Sequence, residues 1–305
     1  RIYTLSKIAC KVCRFYPCAS TFCFFGINDM KSERYLKHIE RLIRQRPSSG
    51  PSLRSYGELA HLMIQSEPAH QPKTAIDEHL QINGKDGVPL FSRKDLPLDF
   101  VAASLLLNRF FSYLSDTGRK DKSGLDKALK QSEKDLEWND RLFAAILNQD
   151  EHALAAMAGG VGLDPLTLLF LGKTALRPSL EAFRRLMEEI IDEKPWDHGY
   201  CPLCGSPPDM ACFTKTGKRS LHCELCGQKW AFTRIGCPFC DNRDPEDLGY
   251  FEAEGEEGLR VYFCNSCHKY LKTIDSRVFE EVAPLELESL ATLHLDLVAN
   301  RNGYR

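Results

Sequence analysis

The chain has 305 residues, 43% of them hydrophobic and 27% charged, with a formal net charge of −2. That length allows two or three domains. The near-neutral charge supplies no global attraction to nucleic acid or to an anionic membrane, and no apolar run approaches the length of a transmembrane helix.

Residues 1–29 stand apart from the rest. They begin with Arg1 and carry Cys10, Cys13, Cys18 and Cys23 in a spacing that suits no metal motif. The most apolar part, Phe15 to Ile27, contains Pro17 and lacks the continuous hydrophobic centre and cleavage site of a signal peptide. At Met30 the character changes to that of an ordinary helix opening. The expectation is that Met30 is the biological start and that 1–29 is a non-native upstream extension. A third metal cluster or a membrane-targeting tail are the rivals. A native peptide from upstream of Met30, seen by mass spectrometry, would sink it.

Residues 30–195 read as a helical domain. Tyr35, Ile39, Leu42 and Ile43 recur at helical spacing. Residues 47–52 form a breaker, and Leu59 to Gln65 a further helical piece. From Pro68 to Pro97 the chain reads as a long connection. Residues 97–116 form a buried helix with Pro97 in its first turn. Thr117 to Lys134 is polar and partly loop. Helices follow at Leu136–Asn148 and Asp150–Ala158, the second ended by Gly159 and Gly160. Asp164 caps the next, 166–191, which Pro178 is expected to break in two. The histidines of this half are scattered, and no phosphate loop, nucleophile elbow or carboxylate pair stands out. No catalytic residue and no organic-cofactor site is predicted.

The chemistry lies between Cys201 and Cys267. Four Cys-x-x-Cys pairs occur: Cys201/Cys204, Cys223/Cys226, Cys237/Cys240 and Cys264/Cys267. Thiolates are soft ligands, and four of them close a tetrahedral shell around Zn²⁺ or a rubredoxin-like iron. Paired in sequence order, they predict two metal ions, one in each of two tandem ribbons at 196–236 and 237–283. Disulfides are the competing reading; the repeated spacing and the absence of any sign of secretion favour metal. A closed shell leaves no open position for substrate, so hydrolytic metal catalysis is disfavoured. Gly205, Gly227, Asp241 and His268 each follow a second cysteine, where the turn favours positive φ. His268 and His222 are read as non-ligands, and Cys212 as a small buried residue. Strands are expected at 211–214, 219–222 and 229–234, and at 248–253, 259–263 and 270–274. The first ribbon is basic and the second acidic: Lys and Arg number five against two Asp and Glu in 201–236, and five against eleven in 237–283. That polarity suits docking to a protein. A helix at 284–299, within a closing segment 284–305, packs back on the body. The fold class is α+β. Paired thiols without a signal peptide point to a reducing compartment, the cytoplasm. A Cys201→Ser variant is expected to lose the first ion and its ribbon while the helical half survives.

The order CPLCGSPP, LHCELCGQKWAFTRIGCPFC, FCNSCHKYLKTID and LATLHLDLVANRNGY, after an all-helical half, resembles the FdhE family of formate dehydrogenase accessory proteins. The likeness covers Met30 to Tyr304, is specific from Cys201 onward, and finds no counterpart for 1–29. It implies a helical domain followed by two rubredoxin-like modules. It implies a non-catalytic cytoplasmic factor that contacts the catalytic subunit of respiratory molybdenum formate dehydrogenase before twin-arginine export. It also implies iron at the eight cysteines. A tandem zinc ribbon that binds nucleic acid, using Trp230, Lys229 and Arg234, is the alternative; an electron-transfer enzyme is a third reading.

Overall fold

A computed structural model describes residues 22–66, 87–117, 121–192, 196–252 and 255–305. Cys10, Cys13 and Cys18, and most of the expected 68–97 connection, lie outside them. The helical half comprises α1 Phe22–Gln45, α2 Gly50–Ile64, α3 Phe100–Asp116, α4 Lys122–Lys134, α5 Trp138–Asn148, α6 Glu151–Val161 and α7 Pro165–Asp192. Carboxylates start three of them: Asp99, Asp150 and Asp164 accept from Ala102, Ala153 and Thr167 N–H at 2.9, 2.9 and 3.0 Å, relieving orphan donors of the first turn.

Several boundaries differ from expectation. Helix α1 opens at Phe22, not Met30. The breaker at 47–52 shrinks to a 3₁₀ turn, Pro47–Ser49, because Pro51 fits the first turn of α2. The polar 117–134 stretch holds α4, which buries Leu125 and Ala128. Helix α6 runs through Gly159 and Gly160 and stops at Gly162, whose φ of 75° closes the C-terminus. Pro178 does not break α7. Leu171, Ala175 and Leu176 before it, and Leu180, Phe183 and Met187 after it, are buried. Their packing outweighs one missing backbone hydrogen bond.

Six strands follow: β1 Pro208–Phe213, β2 Arg219–Cys223, β3 Lys229–Phe232, β4 Leu248–Glu252, β5 Leu259–Cys264 and β6 Tyr270–Asp275. All six expected strands form, but not as two separate ribbons. They make one sheet in the order β3-β2-β1-β6-β5-β4. The join is the parallel pair β1–β6, with Met210 opposite Lys272 and Cys212 opposite Ile274.

The expected C-terminal helix is two, α8 Leu285–Ala291 and α9 Leu293–Arg301. Thr292, fully buried, leaves helical geometry at φ −122° and bonds its hydroxyl to the Glu288 carbonyl at 2.7 Å. Leu285, Leu295 and Ala299 cover one face of the sheet, against Met210, Leu259, Val261 and Ile274. On that face Lys272 donates to Asp296 at 2.7 Å, and Tyr270 to the same carboxylate at 2.8 Å. Leu287 and Ala291 pack instead on Ile39, Leu42 and Leu53 of α1 and α2.

That last contact hides an ion pair. Arg46 and Glu288 meet at 2.6 Å with both side chains under a tenth exposed. Glu288 also accepts the Ala283 N–H at 3.0 Å. Glu288→Ala would strand a buried guanidinium, so a loss of about 3–5 kcal/mol is expected in chemical denaturation. A loss below about 1 kcal/mol would assign the pair no stabilising role.

Candidate metal centres

The four knuckles share one backbone geometry. In each, the N–H of the first cysteine donates to the carbonyl five residues on: Cys201 to Ser206, Cys223 to Gln228, Cys237 to Asn242 and Cys264 to Lys269, at 2.8–3.0 Å. The carbonyls of the same cysteines accept from Gly205, Gly227, Asp241 and His268 at 2.9–3.2 Å. Those four residues have φ of 72°, 72°, 57° and 55°, as the turn demands. The turn leaves further N–H groups for sulfur; Leu225 and Cys226 lie 3.4 and 3.5 Å from Cys223 Sγ.

The turns bring the cysteines together in the expected sets. Cys201, Cys204, Cys223 and Cys226 form one group and Cys237, Cys240, Cys264 and Cys267 the other, each with its sulfurs within 4.8 Å of one another. The closest sulfurs are 3.5–3.6 Å apart in the first group and 3.6–3.8 Å in the second. A disulfide needs about 2.05 Å. A tetrahedron with metal–sulfur bonds of about 2.3 Å has edges of about 3.8 Å. The arrangement therefore matches a four-thiolate shell, and the two groups could hold two ions. Their donor set suits zinc and iron alike.

No histidine joins either group. His222 Nδ1 sits 2.7 Å from Asp209 Oδ1, and its Nε2 lies 3.8 Å from Glu286. His268 is exposed beside the Tyr304 ring. Cys212 is half-buried with its sulfur 3.4 Å from the Phe213 carbonyl. Trp230 is buried and its indole N–H donates to the His198 carbonyl at 3.0 Å, so it offers no platform for a base.

The two centres differ in setting. All four cysteines of the first are buried, inside a core continuous with the helical half. Segment 87–99 joins them. Leu90 and Phe91 N–H donate to the Pro202 and Leu203 carbonyls, both at 2.9 Å. Arg93 donates to the Leu147 and Ile146 carbonyls at the end of α5, to Ser206 Oγ at 3.0 Å and to Glu224 at 2.8 Å. Ser206 Oγ in turn lies 3.3 Å from Cys204 Sγ. Sequence reasoning missed Leu90, Phe91, Arg93 and Ser206; the R-K-D stretch after a proline-rich connection carries no ligand signature. In the second centre Cys237 and Cys264 are buried, Cys267 is half-buried and Cys240 is exposed. Gly199 passes so close to its first knuckle that a Cβ would stand 1.9 Å from the Pro238 carbonyl.

Burial pushes the Cys201, Cys223 and Cys237 thiols up. Burial also pushes Cys264 up, but the Cys267 and Ser266 N–H groups, with the neighbouring thiols, outweigh it and bring it to about 7. An ion-free shell thus retains protons at neutral pH that a metal must displace. Zn²⁺ titrated into the ion-free protein is expected to release about two or more protons per ion, with affinity rising as pH rises. A pH-stat trace without release would argue against thiolate ligation.

A helical body carrying one sheet with two four-cysteine knuckle pairs defines a ribbon protein whose two cysteine groups could each hold a metal ion. A model of the FdhE central domain matches residues 200–234, the span of the first centre. A protein FdhE homolog of Aquifex aeolicus is 31% identical over 147 residues, 47% of this chain and 51% of that protein. One from Pseudomonas aeruginosa is 32% identical over 163 residues, 50% of this chain and 52% of its own length. One from Haemophilus ducreyi is 37% identical over 108 residues, 34% of each. The chain spans about half or less of the length of these curated relatives. The crystal structure of the FdhE protein from Pseudomonas aeruginosa has the same fold, with a TM-score of 0.67, 22% identity, and coverage of 89% of this chain and 92% of that one. The resemblance to the FdhE family read from the sequence is borne out by these likenesses. Among the described residues, no single helix is long and apolar enough to cross a membrane.

Proposed function

We propose that this chain is a non-catalytic accessory factor in the maturation of formate dehydrogenase. In this reading it binds that enzyme's catalytic subunit in the cytoplasm, before export. The carrying observation is the FdhE central-domain match over 200–234, the segment that builds the first four-cysteine shell. Cys201, Cys204, Cys223 and Cys226 would hold one ion, and Cys237, Cys240, Cys264 and Cys267 a second, as zinc or as rubredoxin-like iron. Both shells are complete in protein ligands, which supports structure or one-electron transfer rather than substrate activation. Residues 30–195, 196–236, 237–283 and 284–305 would be its units, the two ribbons sharing one sheet. The test is capture of a purified formate dehydrogenase catalytic subunit on the immobilised, metal-loaded chain, with metal analysis and an optical spectrum. Retention with a stoichiometry near one to one is expected. No retention counts heavily against the reading. Red colour from thiolate-to-iron charge transfer would assign iron; a colourless protein with two zincs would assign a structural role.

A further inference from the structure

The face of the sheet away from α8 and α9 is only partly closed. A pocket of about 180 Å³ opens there, under the 234–239 loop that joins the two ribbons. Its walls include Ile235, Phe239, Tyr250, Tyr262 and Leu271, and Cys237 and Cys264 of the second centre line it too. A cavity of roughly 150 Å³ with apolar walls accepts benzene, so this pocket has room for one aromatic ring. Tyr250 and Ile235 are themselves 53% and 55% exposed. Large exposed apolar residues gathered at a concavity mark an interaction site rather than scattered surface.

The charge around the pocket has one sign. Arg219, Arg234 and Lys269 line it and no carboxylate does. Arg219 is only 4% exposed, sandwiched 5.5 Å from Tyr262 and 5.7 Å from Phe232. It donates to the Gly236 carbonyl at 2.9 Å, and its Nε has no acceptor among the described residues. Arg234 lies over Phe213 and Lys269 over Phe239, at 5.5 and 5.3 Å. Four nearby acids are engaged elsewhere: Asp241 with Arg243, Asp244 with the Glu246 N–H, Asp247 with Ser266 and Glu252 with Arg260; Glu246 is exposed and does not line the pocket. Cations held on aromatic faces beside an apolar hole recognise a carboxylate next to an apolar side chain.

We propose that this pocket docks an extended segment of a partner protein, one that presents an aromatic side chain flanked by carboxylates, with the second metal centre inside that interface. This deepens the maturation reading and rests on it for the partner's identity. The exposed edge strand β4 and the half-open second centre lie on the same part of the molecule. A docked segment would therefore lie against Cys237 and Cys264, the two buried cysteines of that centre, which line the pocket.

The test uses the zinc-loaded full chain and a fluorescein-labelled peptide, Ser-Gly-Asp-Phe-Glu-Gly-Ser, followed by anisotropy. Binding that weakens with salt is expected. The same peptide with both acids replaced by lysine should bind at least about tenfold more weakly, since like charge is repelled. Tyr250→Ala and Arg234→Glu should each weaken the acidic peptide about tenfold, while Lys173→Glu on α7 leaves it unchanged. Zinc content is measured for each variant, and Ile235→Glu replaces any variant that loses an ion. No binding of the acidic peptide, equal binding of the basic one, or undiminished binding by both pocket variants overturns the proposal. A second arm compares wild type and the Tyr250→Ala/Arg234→Glu double variant for capture of the formate dehydrogenase catalytic subunit. Capture lost only in the double variant supports the pocket, and equal capture overturns it. Failure of wild type counts against the maturation reading, while the peptide arm still decides the pocket.

Discussion

Cys201→Ser is expected to release the first ion and to unfold more than the ribbon that carries it. Serine is a poor ligand for a soft four-thiolate site. In zinc-finger peptides the apparent binding energy of a structural ion is about 10–16 kcal/mol, and most of it is folding energy. The first shell is fully buried and shares its core with Phe91, Leu203 and Leu225. Opening it removes the carbonyls of Pro202 and Leu203 that hold Leu90 and Phe91. It also frees Arg93 from Ser206 and Glu224. Metal content should fall from two ions to one. Amide exchange should speed up by several orders of magnitude in 200–232 and also in 87–95, while α3 and α5 stay protected. This revises the expectation that the helical half survives intact: its helices remain, but the segment that ties them to the ribbon does not. Protection retained at Leu90 and Phe91 would show that the segment is held by α5 and not by the knuckle.

Chelation should empty the second centre first. Cys240 is exposed and Cys267 half-buried, whereas the first centre presents no exposed sulfur. A chelator reaches an exposed thiolate directly, but reaches a buried shell only after local opening. Two kinetic phases are expected on addition of excess chelator, separated by about tenfold or more in rate. The fast phase should coincide with loss of protection in 237–283, and Cys240→Ser should accelerate that phase alone. A single phase, or first loss at 200–232, would contradict the reading of the second centre as the more accessible one. The same asymmetry matters for the proposed partner. The second centre is the one with an exposed cysteine, Cys240, and it lines the cationic pocket through Cys237 and Cys264.

The division between what was legible and what was not follows the range of the interactions. The Cys-x-x-Cys knuckles were readable because each is closed by its own hydrogen bonds and one residue of positive φ. The chain spells that turn within six residues. Strand positions were readable for a similar reason, since alternation along five or six residues decides which face is apolar. Pro178, Gly159 and Gly160 were misread because local propensity is weak against a continuous buried face. The polar stretch that forms α4 was misread because only Leu125 and Ala128 mark its packed side. Thr292 carried no breaker signal, and its buried hydroxyl divides the last helix.

By itself, then, the sequence determined the eight thiolates, their pairing, the helical-then-sheet order and the resemblance to the FdhE family. These rest on spacing, which acts over a few residues. Tertiary structure alone decided that β1 and β6 fuse the two ribbons into one sheet, that Arg93 reaches the first centre from a distant connection, and that one centre has four buried cysteines while the other has an exposed one and lines a cationic, aromatic pocket. Those outcomes depend on which surfaces meet across long stretches of chain, 62 residues between Met210 and Lys272 and 113 between Arg93 and Ser206. No local pattern encodes that complementarity, because it is set by packing of the whole chain.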